Sequence, residues 1–162
     1  MIHVRPAHDL DARQMAELLN EVIAIGGTTA MTGQVDAQYF IDRMQQHPEA
    51  SSWIVAEMPD GEIIGFQYIT RGGDYLPPEA AEIATFAKPG QQGLGIGSEL
   101  MEATKAAARR LGYAWINANI RADNESGLTY YQSRGFEDYG RIEGYRMADG
   151  RVVDKILKRF DL

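Results

Sequence analysis

Two hydrophobic rhythms alternate along the chain, one of period two and one of three to four residues, and their order predicts the elements. Residues 2–5 read as a short strand. Met15, Leu18, Leu19, Val22 and Ile23 then recur at the spacing of one apolar helix face, which is expected to begin near Asp9 and to end at Gly26-Gly27. Asp36 is expected to cap a second, short helix that carries Tyr39, Phe40 and Met44 and stops before Pro48. Segments 51–57 and 62–69 flank Asp60-Gly61, a pair that tolerates positive φ, and predict an antiparallel hairpin. An irregular stretch over 71–78 precedes a strand at 81–88. A glycine-rich loop then leads into a helix over about 98–111, with Leu100, Met101, Thr104, Ala107, Ala108 and Leu111 inward and Gly112 as its C-cap. A strand at 114–121, a helix at 125–134 and two closing strands joined at Asp149-Gly150 complete the chain. The order β-α-α-β-β-β-α-β-α-β-β predicts an α/β (α+β) fold over 1–162, one domain whose mixed, mostly antiparallel sheet of about seven strands is flanked by helices.

Composition narrows the function classes. With 162 residues, 44% of them apolar, the chain can bury one core. A net charge of -7 repels a phosphate backbone on average, so no nucleic-acid partner is expected. Cysteine is absent, which removes disulfides, thiolate ligands and a cysteine nucleophile. The only histidines, His3, His8 and His47, show no helical pairing, so no metal is expected. The N-terminus has no apolar signal region, and no stretch approaches the roughly 18 apolar residues of a spanning helix. The expectation is a cytoplasmic protein without a membrane partner.

The segment from Gln91 to Ser98 joins a predicted strand to a predicted helix, whose first backbone N–H groups have no internal acceptor. Glycine lets the backbone approach an anion closely, and the helix dipole favours negative charge there. An ordinary glycine-rich turn is an equally good reading of the loop alone. It is not a P-loop, because no Gly-Lys-Ser/Thr follows, and glycines at 93, 95 and 97 with Glu99 behind them make a poor dinucleotide fingerprint. Downstream, Asn124 heads a predicted helix on which Gly127 and Tyr131 follow, with Gly135-Phe136 beyond. Asn124 is placed to cap or bind, Gly127 to admit a ligand, and Tyr131 to project a phenol from a similar face.

These two motifs resemble those of the GNAT acetyltransferase superfamily. Gln92-Gly93-Leu94-Gly95-Ile96-Gly97 matches the family's Gln/Arg-x-x-Gly-x-Gly loop, and residues 124–136 match its Asn-x-x-Ala/Gly-x-x-x-Tyr-x-x-x-Gly-Phe. The resemblance implies a GNAT fold in which Gln92, Gly93, Leu94, Gly95, Ile96, Gly97 and Ser98 hold the pyrophosphate of acetyl-CoA. It also implies that the pantetheine arm lies in a V between strands 81–88 and 114–121, along Thr85, Phe86 and Ala87, with Asn124, Gly127 and Tyr131 nearby. Leu19-Asn20-Glu21-Val22-Ile23, Thr28-Thr29-Ala30 and Glu82 are similar to the phosphinothricin and L-amino-acid acetyltransferase branch. That similarity implies a small-molecule amine as acceptor, in a pocket that includes Thr28, Thr29, Arg71 and Tyr75. Members of that branch commonly carry an arginine ahead of the Glu-bearing strand that meets an acceptor carboxylate; within 71–78 only Arg71 is cationic, opposed by Asp74 and the neighbouring Glu79, so if the acceptor is an α-amino acid the resemblance implies Arg71 as the partner of its carboxylate. A homodimer is the expected assembly. A non-catalytic acyl-CoA-binding module and a protein or peptide N-acetyltransferase stay open as alternatives.

Amide formation from a thioester needs a neutral amine, yet a primary amine with pKa near ~10 is mostly protonated at neutral pH. By family position Glu82 is the expected base, acting through water with a pKa raised by desolvation; composition alone favours an exposed strand glutamate. Tyr131 is expected to protonate the departing thiolate, a role that Tyr130, on another face, cannot share. Backbone N–H groups near Phe86 and Ala87 would, by the resemblance, stabilise the oxyanion. His47 reads as a solvated helix end, and Lys88, Arg121 and Arg134 as solvated cations that could also meet CoA phosphates.

Overall fold

The computed structural model describes residues 1–91 and 94–162. Its elements follow the expected order: β1 (His3–Pro6), α1 (Ala12–Ile25), α2 (Ala37–Gln45), β2 (Ser52–Glu57), β3 (Ile63–Arg71), β4 (Ala80–Ala87), α3 (Ile96–Arg110), β5 (Trp115–Arg121), α4 (Glu125–Ser133), β6 (Glu137–Arg146) and β7 (Val152–Asp161). All seven strands form one sheet in the order β1-β2-β3-β4-β5-β7-β6, antiparallel except between β4 and β5. The first helix starts later than its pattern suggests. Asp11 accepts the His8 N–H at 2.8 Å and pairs with the Arg5 guanidinium, and the turn Asp9–Asp11 is 3₁₀.

Side chains alternate across each strand, so the register sorts them onto two faces. One face carries Trp53, Val55, Phe66 and Tyr68 and is covered by Met15, Leu19 and Phe40 from α1 and α2. Phe40 is fully buried and meets Trp53 and Phe66 edge-on. The other face carries Ile69, Ala81, Ile83, Ile116, Ala118 and Ile120 beneath Met101, Tyr131 and Phe136 from α3, α4 and the turn after it.

The parallel junction positions the site. β4 and β5 are paired only from Ala80↔Trp115 to Ile83↔Ala118. Beyond that point β4 stays with β3 as far as Gly65↔Ala87, and β5 stays with β7 as far as Arg121↔Lys155. Each strand follows its outer neighbour, and a V opens in the middle of the sheet. The backbone over 84–87 is left without a ladder partner on its β5 side.

Candidate active site

Tyr131 reaches the V from the α3/α4 side. Its ring is buried against Phe136, 5.2 Å between centroids, and its hydroxyl lies 2.7 Å from Thr85 Oγ1 on β4. Burial pushes the phenol well above its ordinary pKa, outweighing the bond to Thr85. Thr85 Oγ1 also accepts from Gln67 Nε2 at 2.9 Å, so its own hydrogen can go to Tyr131 and leave the phenol proton free for a third group. Gln67 is fully buried and also donates to the Tyr130 hydroxyl at 3.1 Å, which in turn donates to the Gly97 carbonyl at 2.7 Å. The two adjacent tyrosines thus have different duties: Tyr130 ties α4 to the start of α3, and Tyr131 enters the V.

The start of α3 is built for close approach. Gly95 takes the N-cap position at φ +75°, a left-handed conformation that disfavours any side chain. The first intrahelical bond joins the Glu99 N–H to the Gly95 carbonyl at 3.2 Å, leaving the N–H groups of Ile96, Gly97 and Ser98 at the helix end. Ile96 points into the core, Leu94 is exposed, and Ser98 accepts from Arg134, which has no carboxylate partner among the described residues. Gln92 and Gly93 lie outside the described residues. Gly97 owes its identity to Tyr130, since a Cβ there would sit 2.6 Å from the ring.

Glu82 stands on the opposite face. Glu82 and Thr85 are three residues apart on one strand, so alternation separates them. Glu82 pairs in register with Thr70 and Asn117, and one of its oxygens accepts the Tyr75 hydroxyl. Tyr75 also accepts from Asn117 and Asn119, each at 3.2 Å, and Tyr139 donates to Asn117 from β6. Burial, with the Glu82 bond adding to it, holds the Tyr75 phenol in its protonated form. The Oδ1 atom of Asn119 is buried without a partner among the described residues. Phe86 lies on this face against Phe66, 5.2 Å between centroids, and Ala87 is exposed where β4 ends.

Thr28 and Thr29 close the open end of the V through their backbones. The Thr29 carbonyl accepts from buried Arg121 at 3.0 Å and the Thr28 carbonyl from Asn124 at 3.2 Å. The Thr29 hydroxyl is turned back on its own loop, to the Met31 N–H. Asn124 is the N-cap of α4, accepting from Gly127 N–H and Ser126 at 3.0 Å each. A Cβ at Gly127 would strike the Asn124 amide, so this glycine makes room for the cap.

Arg71 is not brought to Glu82, contrary to expectation. It shares the alternation of Ile69, on the α3 face, and its exposed guanidinium lies 3.8 Å from Glu49. The three cations read as solvated charges that could also meet phosphates part ways too: Lys88 is paired with Glu62, Arg121 is buried and paired with Asp123, and Arg134 lies at the helix end. Asn117 and Asn119 escaped the sequence reading, although polar residues alternating with Ile116, Ala118 and Ile120 on a central strand were a signal. Tyr139 and Arg43 carried none. Arg43, on α2, lies over Tyr39, Trp53 and Tyr68 and donates to the two phenols at 3.0 and 3.4 Å.

The sheet opens at one parallel junction, with a helix N-terminus on one side and a carboxylate on the other. The sequence profile of the Acetyltransferase (GNAT) family matches residues 15–136, and the chain belongs to that family. It is 25% identical over 169 residues to L-methionine sulfoximine/L-methionine sulfone acetyltransferase of Pseudomonas aeruginosa, with 98% of this chain and 94% of that relative covered. It is 29% identical over 143 residues to N-alpha-acetyltransferase RimI of Mycobacterium tuberculosis, covering 80% and 88%. The fold superposes with a TM-score of 0.88 on a phosphinothricin acetyltransferase (Pat) from Sinorhizobium meliloti solved in complex with AcCoA. Identity there is 21%, over 99% of this chain and 88% of that one. No helix among the described residues is long and apolar enough to cross a membrane.

Proposed function

We propose that the chain is an acetyl-CoA-dependent N-acetyltransferase whose acceptor is the primary amine of a small molecule of amino-acid type. The observation that carries this reading is the V itself, with Tyr131 on one face and Glu82 on the other. The features of this chain fit acetyl-CoA: unpaired N–H groups and Arg134 at the α3 end for the pyrophosphate, and the unladdered 84–87 backbone for the pantetheine arm.

Glu82 keeps one carboxylate oxygen on Tyr75 and has the other for the acceptor or for a bridging water. As the amine nitrogen forms its bond to the acetyl carbon, Glu82 removes the nitrogen's proton. Backbone N–H groups near Phe86 and Ala87 meet the oxyanion. The C–S bond breaks as Tyr131 delivers its proton to the sulfur, and burial keeps that proton in place until then. The products are an amide and free CoA.

The test is a thiol-release screen of amino acids, their analogues, polyamines and aminoglycosides, with N-terminal peptides as a separate arm. Turnover of an amino-acid-type amine is the expected result. Release with peptides alone would make the chain a protein acetyltransferase, in line with its likeness to RimI. Binding of acetyl-CoA with no release on any amine would make it a binding module.

A further inference from the structure

The α3/α4 face of the V carries a row of polar side chains whose hydrogens each have one assignable acceptor. Gln67, on β3, is fully buried, and the two hydrogens of its Nε2 meet Thr85 Oγ1 at 2.9 Å and the Tyr130 hydroxyl at 3.1 Å. Tyr130 gives its own hydrogen to the Gly97 carbonyl at 2.7 Å. The reversed amide would draw that hydrogen away from Gly97 and strand two N–H donors. The observed orientation leaves only one oxygen, Gln67 Oε1, without a partner among the described residues. Gln67 is therefore set as a donor to Thr85.

Thr85 Oγ1 accepts on that side, and its other oxygen partner among the described residues is the Tyr131 hydroxyl at 2.7 Å. Its hydrogen goes there. Tyr131 makes no second hydrogen bond among the described residues, so its own hydrogen is left for a group in the V. The hydrogens run one way, from Gln67 to Thr85 to Tyr131.

This order matters when the proton moves. As Tyr131 gives its proton to the departing sulfur, the phenol O–H bond breaks, the S–H bond forms, and a phenolate is left on a residue only 7% exposed. A buried anion without a donor is costly. Burial pushes the phenol's pKa up, and the Thr85 bond pulls it back down. Gln67 keeps the Thr85 hydrogen on that bond. Once the products leave, water returns a proton to the phenolate and takes from Glu82 the one removed from the amine.

We propose that Thr85 is a positioning residue for the acid step: oriented by the Gln67 amide, its hydroxyl donates to Tyr131, keeps the phenol proton turned toward the V and stabilises the phenolate that forms as the thiol leaves. This role rests on the acetyltransferase reading above.

The test measures single-turnover rates at saturating acetyl-CoA and a saturating amine taken from the thiol-release screen, so that chemistry and not product release is read. Thr85→Val should slow the step by about 10- to 100-fold, the scale of a hydrogen bond to an anion. Thr85→Ala, which removes the hydroxyl without setting a methyl group against the phenol, should be about as slow. Thr85→Ser, which keeps the hydroxyl, should stay within about threefold of wild type. In Tyr131→Phe no phenolate forms, so adding Thr85→Val to it should not multiply the two losses, and the double variant should react within about twofold of Tyr131→Phe alone. A Thr85→Val rate equal to wild type, a loss absent from Thr85→Ala, a Thr85→Ser protein as slow as Thr85→Val, or losses that multiply in the double variant would each overturn the assignment while leaving the acetyltransferase reading intact. If Tyr131→Phe reacts as fast as wild type, or no amine releases thiol, the reading beneath it fails, and the assignment with it.

Discussion

The two faces of the V are held in different ways. On the α3/α4 face, Thr85, Tyr131 and Gln67 form a buried chain of hydrogen bonds among elements that also make the core, and their geometry is fixed with it. On the α1/α2 face, Glu82 is bonded by Tyr75 of the 72–79 loop, itself 47% exposed, which is held in turn by Asn117 and Asn119 of β5, with Tyr139 of β6 on Asn117. A fixed donor side suits a ligand common to a whole family. Under the proposed function, an acceptor side whose direct contact to Glu82 comes from an exposed loop tyrosine can change partner without disturbing the core.

The comparison breaks first at the carboxylate. Glu82→Gln should lower kcat/KM for the acceptor by about 10²- to 10³-fold near neutral pH, the scale of general-base catalysis. The deficit should shrink as pH rises toward 10, where the acceptor amine is neutral without help. A deficit constant across a full pH–rate profile would show that Glu82 does not move the proton.

Tyr131→Phe tests the other face, with an expected loss of about 10²-fold in kcat and little change in acetyl-CoA affinity by calorimetry. Because burial raises this phenol's pKa, the folded protein keeps the proton at a pH where the unfolded chain releases it. Wild-type kcat should therefore not fall through the ordinary phenol range near ~10, while stability to denaturant should decline there. A kcat equal to wild type in the variant would reduce Tyr131 to a packing residue.

A smaller effect sharpens the donor side alone. Gly95→Val places a β-branched residue at φ +75°, with nothing within 4 Å of the new Cβ, so the strain falls on the helix end and not on a neighbour. The KM for acetyl-CoA should rise about 10-fold and the acceptor KM stay within about twofold. Gly97→Val is a poor probe, because its Cβ would displace Tyr130 and couple both faces through Gln67.

The sequence was most legible where one local rule sets the outcome. The order of elements, the Asp36 cap on Tyr39 N–H and the Asn124 cap followed from periodicity and capping chemistry. Glu82 and Tyr131 came from motif position, and nothing in their spacing told that they would face opposite ways; that needed the register of β4. What stayed hidden was nonlocal. Tyr139 reaches Asn117 across 22 residues, too far for any pattern to join them.

Arg71 marks the limit most sharply, and its removal should have the smallest effect. As the only cation within 71–78 it was the natural partner for an acceptor carboxylate, an inference that treated nearness in sequence as nearness in space. One step of strand alternation undoes it. Thr70 faces Glu82, and the next residue points through the sheet toward Glu49, which already lies 3.8 Å from the guanidinium with both side chains more than half exposed. An exposed pair of this kind contributes little. Arg71→Ala should therefore change the acceptor KM, the acetyl-CoA KM and the thermal midpoint only marginally, with both KM values within about twofold of wild type. If the acceptor KM instead rose by about 10-fold or more, with acetyl-CoA unaffected, the 72–79 loop would have to swing Arg71 to the acceptor face during turnover, and the contrast between a fixed and an adaptable face would have to include that motion.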